Sequence, residues 1–215
     1  MSACSIANNN SVTVIGKIIE ECVFDHEVYG EGFYTFKICI ERLSENYDVL
    51  PITLSERLID KDLIIKNKAV IVKGQLRSYN NFTDKKNKLV LTVFAREIEI
   101  FEDLPEGNPN SIELNGFICK EPVYRVTPFG REIADILVAV NRAYKKSDYI
   151  PCIAWGRNAR YVNKLKVGAN IKLWGRIQSR VYHKKSENGV EDKIAYEVSV
   201  SRIEYITNEE ADENA

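Results

Sequence analysis

The sequence predicts an all-β chain built as two tandem five-stranded barrels with one short helix in each. Three observations predict this: a duplication, strand periodicity, and a single helical pattern per copy. The duplication is read first, because Asn10, Ser11, Gly16, Ile18, Glu21, Val23, Gly30, Arg42, Asp48 and Pro51 recur one hundred positions later as Asn110, Ser111, Gly116, Ile118, Glu121, Val123, Gly130, Arg142, Asp148 and Pro151. Gly74 answers to Gly175, and Ile98-Glu99 to Ile203-Glu204, so the second copy carries small loop insertions. The expected organisation of the 215 residues is an extension (1–9), a first domain (10–101), a linker (102–109), a second domain (110–206) and an acidic tail (207–215). The linker, rich in acid, Pro and Gly, spans at most about 27 Å when extended.

Within the second copy, Ile112, Leu114 and Ile118 alternate with polar or small residues. So do Ala134, Ile136, Val138 and Val140, and then Ile171, Leu173, Gly175 and Ile177. Asp148–Ala154 reads as a shorter strand and Ile194–Ile206 as the last, entered through a polar turn ending in Asn188-Gly189. Ala159, Val162 and Leu165 recur at helical spacing, with Gly168 as the stop. The corresponding helix of the first copy is expected to start at Ser55, an N-cap, with Leu58 as its first core contact. Five strands with a helix between the third and fourth is the plan of the OB-fold, whose outer face takes oligonucleotides or oligosaccharides.

Composition narrows the function classes. At 45% hydrophobic and 28% charged residues the chain buries a core. It has no apolar run of about 18 residues and no basic-then-apolar leader, so a membrane association is not expected and the cytoplasm is the expected location. The five cysteines form no C-x-x-C pair, and His26 and His183 sit in no arrangement with Cys, Ser or paired carboxylates. Neither metal, cofactor nor catalysis is expected. The charge is uneven: 13 Lys+Arg against 16 Asp+Glu over residues 1–105, 17 against 11 over 106–206, and none against 4 over 207–215. The basic second domain is therefore the part suited to a polyanion.

Alternation assigns its outer face. On the strand through Gly175 the outward set is Lys172, Trp174, Arg176, Gln178, Arg180 and Tyr182. On the strand from Asp148 it is Tyr149, Pro151, Ile153 and Trp155, and the preceding hairpin adds Arg142, Tyr144, Lys145 and Lys146. Rings on which unpaired bases stack, interleaved with cations that follow the phosphates, suit a single strand of nucleic acid. A one-residue error in register would instead make Trp155 and Trp174 core residues. RNA as the ligand, or an adaptor that holds other proteins on DNA and binds it weakly, are alternatives on the same fold.

The second copy resembles the bacterial single-stranded DNA-binding protein (SSB) family. The resemblance rests on Asn110-Ser111-Ile112, Val138-Ala139-Val140-Asn141-Arg142, Asp148 to Gly156 and Leu173 to Arg180. It implies sequence-independent binding of single-stranded DNA in replication, recombination and repair, with stacking rings at Tyr144, Tyr149, Trp155 and Tyr182. In the first copy, Ser44, Val49 and Ser55 stand where three of these rings would be, although Lys73, Gln75, Arg77 and Tyr79 keep the outer face of its fourth strand and Lys85, Lys86 and Lys88 the hairpin beyond. The first domain is therefore expected to serve assembly, with weak contacts at Lys73, Arg77 and Tyr79. The resemblance also implies a homodimer presenting four OB-folds. The family's tail, acidic with a terminal aromatic that recruits replication and repair proteins, is matched here by Thr207 to Ala215, which has the acids and no aromatic.

Overall fold

A computed structural model describes residues 9–42, 44, 46–81, 88–186 and 189–207. The first half forms β1 (Asn10–Ile18), β2 (Val23–Val28), β3 (Glu31–Glu41), β4 (Tyr47–Ser55), β5 (Ala69–Asn81) and β6 (Lys88–Phe101). The second forms β7 (Asn110–Ile118), β8 (Val123–Val126), β9 (Glu132–Arg142), β10 (Lys146–Trp155), helix α1 (Arg157–Val162), β11 (Asn170–Ser186) and β12 (Gly189–Tyr205). Among the described residues no helix is long and apolar enough to cross a membrane.

In each half, pairing passes around a ring of five strands. β1 pairs β3, β3 pairs β4, β4 pairs β6 in parallel, β6 pairs β5, and β5 returns to β1. β7, β9, β10, β12 and β11 repeat the circuit. The ring is thin where β1 meets β3, with Lys17 opposite Cys39 and Ile18 opposite Ile38. The repeated glycines follow from this geometry. A Cβ on Gly16 would meet the Cys39 carbonyl oxygen at 2.5 Å, and one on Gly116 the Ala139 oxygen at 2.5 Å, so a side chain there would force the strands apart. Gly74 and Gly175 lie at the matching bulges of β5 and β11 and face carbonyls in the same way.

The barrels are joined through their first strands. β1 and β7 pair antiparallel with Val12 opposite Ile112, flanked by Asn10 opposite Leu114 and Val14 opposite Asn110. The joint is therefore symmetric about Val12 and Ile112, and the strands of both copies form one 12-stranded sheet. Val12, Val14, Ile112 and Leu114 are fully buried there, each worth about 1.5–3 kcal/mol of transfer free energy.

Two expectations need correction. Each half has a sixth strand, β2 or β8, added beside β3 or β9 as a hairpin outside the ring. The first-domain helix does not form. Ser55 ends β4, and its hydroxyl takes the Arg57 N–H at 3.1 Å in a local turn. Asp60 then accepts the Asp62 N–H at 3.0 Å to open a separate 3₁₀ turn over Lys61–Leu63. Asp and Ser side chains that bond nearby backbone compete with helix in this way, and Ile59, Ile64 and Ile65 add no helix propensity against them. Leu58 still packs on the core as expected. In the second domain α1 ends at Val162, Ala159 and Val162 face the core, and Gly168, at φ +89°, turns the chain several residues later. Residues 102–104 and 106–109 are exposed, while the Ile15 N–H donates to the Pro109 carbonyl at 2.9 Å and Leu104 and Pro105 line a cleft with Ile15 and Ile19. The tail beyond Thr207, the Asn188 turn, Lys85 and Lys86 fall outside the described residues.

Candidate nucleic-acid interface

Trp155 stands at the end of β10 and is 38% exposed, on the wall of a cleft of about 310 Å³. Arg125, Arg180, Gln178 and Glu197 line the same cleft, and Arg42 enters it from the first domain. Arg125 is held by Asp135 at 2.8 Å, and Arg180 lies 3.8 Å from Glu197. Both guanidinia are more than half exposed, so donors remain turned to solvent beside the ring.

Tyr144 follows β9 in a 3₁₀ turn, with φ +61° there and +55° at Lys145. Two consecutive non-glycine residues in the left-handed region cost about 1–2 kcal/mol each. The result is a Tyr144 ring 95% exposed, with Lys145 and Lys146 exposed beside it. Tyr149 on β10 and Tyr182 on β11 are also exposed. The four rings that the resemblance implied are therefore all at the surface.

Several other sequence-assigned residues are already held by protein partners or buried. Gln178, 8% exposed with its amide donating to Glu197 at 2.6 Å, and Ile153, 7% exposed, line the Trp155 cleft without standing clear of it. Trp174 does point outward, but Lys172 and Arg202 lie over its ring at 5.1 and 4.7 Å and its Nε1–H donates to Glu113 at 2.9 Å. Lys172 is itself paired with Glu113 at 2.7 Å. This group is not part of the Trp155 cleft lining. Arg176 donates to Asp48 of the first domain at 3.1 Å, and burial, followed by the neighbouring Arg42 charge, lowers its affinity for the proton against the pull of Asp48. Arg142 is tied to Asp148 at 3.3 Å. Of the first-domain residues, Lys73 is paired with Glu97 at 3.0 Å.

A second cleft, of about 350 Å³, lies at the equivalent place on the first domain. Its Asp25, Thr53, Ser78 and Tyr79 are the repeat partners of Arg125, Ile153, Ser179 and Arg180, and Arg142 enters from the second domain as Arg42 enters the other. Arg77 stands where Gln178 does, as the strand pairings Arg77 to Thr92 and Gln178 to Glu197 show. Sequence reasoning missed its rings. Phe94 on β6 carries the Arg77 guanidinium at 4.3 Å and lies 5.9 Å from Phe33, which stacks on His26 at 4.9 Å and 11°. The signal was present in the parity of β6, where Val93 and Ala95 are buried and Phe94 between them faces out.

Residues 109–206 match the model of the single-strand binding protein family. Single-stranded DNA-binding protein 1 of Staphylococcus aureus is 31% identical over 112 residues, 49% of this chain and 65% of that protein. Single-stranded DNA-binding protein A of Bacillus subtilis is 32% identical over 104 residues, 45% of this chain and 59% of that protein. The chain thus spans slightly less than two thirds of the length of these curated relatives. The wild-type single-stranded DNA-binding protein of Thermus aquaticus superposes with a TM-score of 0.72 at 21% identity, covering 93% of each chain, so the fold is shared across both domains. The likeness to the single-strand binding protein family is thus carried by the second domain, residues 109–206.

Proposed function

We propose that the protein binds single-stranded DNA without sequence preference, in replication, recombination and repair, with the second domain as the principal site. The observation that carries this reading is the Trp155 cleft, whose lining combines an accessible indole with the guanidinia of Arg125 and Arg180. Tyr144, Tyr149 and Tyr182 extend the stacking surface, and Lys145 and Lys146 follow the phosphates. Each stacked base contributes about 1–3 kcal/mol, and each neutralised phosphate adds a salt-dependent term. A duplex, whose bases stack on one another, offers nothing to these rings.

Titration of the protein with poly(dT), followed by tryptophan emission at several salt concentrations, tests the reading. Strong quenching and an affinity that falls with salt support it; weak binding without quenching points to an adaptor. A matched RNA oligomer in the same assay decides the sugar preference. By the family resemblance the working particle is a homodimer with four OB-folds, and its mass in solution with and without DNA measures this directly.

A further inference from the structure

We propose that the first domain carries its own station for one nucleotide of the bound strand, framed by Tyr79, His26 and Phe94, with Arg77 and the second domain's Arg142 at its phosphate. The inference rests on the reading that the chain binds single-stranded DNA. It extends that reading to the barrel that lacks three of the expected rings.

Location is the first argument. The first-domain cleft is the repeat counterpart of the Trp155 cleft, and each receives one arginine from the opposite domain. Ser55 replaces Trp155, and its hydroxyl is committed to Glu31. The ring has moved to neighbouring strands: Phe94 on β6 forms a wall, His26 extends a parallel stack with Phe33 at 4.9 Å, and Tyr79 stands exposed on β5. At about 350 Å³ the cleft lies at the low end of ligand sites, which run from about 300 to 1,000 Å³, a size suited to a single nucleotide.

Charge is the second. Arg77 and Arg142 face the cleft against the carboxylate of Asp25, which is itself bonded to His26 at 2.7 Å. Arg77 Nε is buried without a hydrogen-bond partner, and one Nη donates to Gln75 at 3.1 Å. Burial, then the charge of Arg142, brings the Arg77 guanidinium down to about 10, with Asp148 opposing. A phosphate between the two guanidinia would give Arg77 an anionic partner and Arg142 a second one beside Asp148. The Tyr149 N–H also donates to the Ser78 hydroxyl at 2.7 Å, so the strand that bears Tyr149 meets the strand that bears Tyr79.

The test uses the full chain and oligo(dT) of about 12 and about 30 nucleotides, within and well beyond the roughly 4–16 nucleotides that one OB-fold occupies. Wild-type protein, Tyr79→Ser with His26→Ser, and Arg77→Gln are titrated by Trp155 emission, and complexes of the wild type are cross-linked with ultraviolet light and mapped by mass spectrometry. Tyr79 and His26 are exposed, so their replacement leaves the barrel core intact. We expect the longer oligomer to bind wild type more tightly, the ring variant to lose roughly 5- to 150-fold of that gain, Arg77→Gln to lose part of it, and cross-links to fall on peptides holding His26, Tyr79 or Phe94. The proposal is overturned if the gain survives both variants and cross-links stay within the second domain while Trp155 is quenched. Absence of quenching in the wild type would instead overturn the parent reading, and this one with it.

Discussion

Asp48 of the first domain accepts the backbone N–H of Ser179 of the second at 2.7 Å, and its repeat partner Asp148 accepts that of Ser78 at 2.9 Å. The two bonds are images of one another across the joint centred on Val12 and Ile112. Ser179 and Ser78 return the contact through their hydroxyls, to the Val49 N–H at 3.1 Å and the Tyr149 N–H at 2.7 Å. Strand pairing between β1 and β7 is thereby locked on both sides by a buried carboxylate, which fixes the two domains in one relative arrangement.

The Asp48 lock carries more charge. Arg42 binds Asp48 through Nε at 2.7 Å and Nη2 at 2.5 Å, and Arg176 binds it at 3.1 Å, whereas Asp148 has Arg142 at 3.3 Å. Removing a fully buried counter-ion leaves two guanidinia without compensation, at a cost of about 3 kcal/mol. Asp48→Asn is therefore expected to lower the melting temperature by roughly 6–12 °C, and Asp148→Asn by less. Thermal unfolding of both variants checks the order; equal shifts would contradict the asymmetry.

The two tryptophans should report differently. Trp155 opens onto its cleft, while Trp174 is covered by Lys172 and Arg202. Trp155→Phe is expected to abolish most of the quenching by poly(dT), and Trp155→Ala to weaken binding roughly 5- to 150-fold, the worth of one stacked base. Persistence of the quench in Trp155→Phe would show that Trp174 takes the base.

Tyr144 combines exposure with a strained backbone, the pairing expected where local strain serves a site. Glycine adopts the left-handed region without the side-chain clash, so Tyr144→Gly is expected to hold or raise stability by up to about 1 kcal/mol while DNA affinity falls. Parallel denaturant melts and titrations read the two effects. A variant that loses stability and keeps affinity would make Tyr144 a structural residue.

The strands and the Trp155 face were legible because alternation and the repeated glycines are local signals: Gly16 and Gly116 mark close strand approach wherever they occur. The repeat also displayed Asp48 and Asp148, but their partners Ser179 and Ser78 lie 131 and 70 positions away, and no periodicity reports such a contact. Alternation put Gln178 and Ile153 on the correct side, since both line the Trp155 cleft, but it could not report that they are buried there. The first-domain rings were not legible from the repeat, because they do not occupy the positions of Tyr144, Tyr149 and Trp155: the stack is assembled from β2, β3 and β6. The absent first-domain helix reflects competition from Ser55 and Asp60, whose side chains captured nearby N–H groups.

Glu113 gives the Trp174 group a pH dependence. The bond from Lys172, followed by that from Trp174, holds the Glu113 carboxyl below its ordinary value of 4.5, with burial opposing. Because the folded value is the lower one, the stabilisation is present above the unfolded value and is lost as pH falls through the folded value. Protonation releases Lys172 and replaces the acceptor of the indole N–H with a weaker one. In a Trp155→Phe background, where Trp174 is the sole tryptophan, emission should therefore hold steady down to about pH 4.5 and change below it, and Glu113→Gln should show the acid-form emission at neutral pH. A transition centred well above that value would mean that Glu113 does not hold the ring.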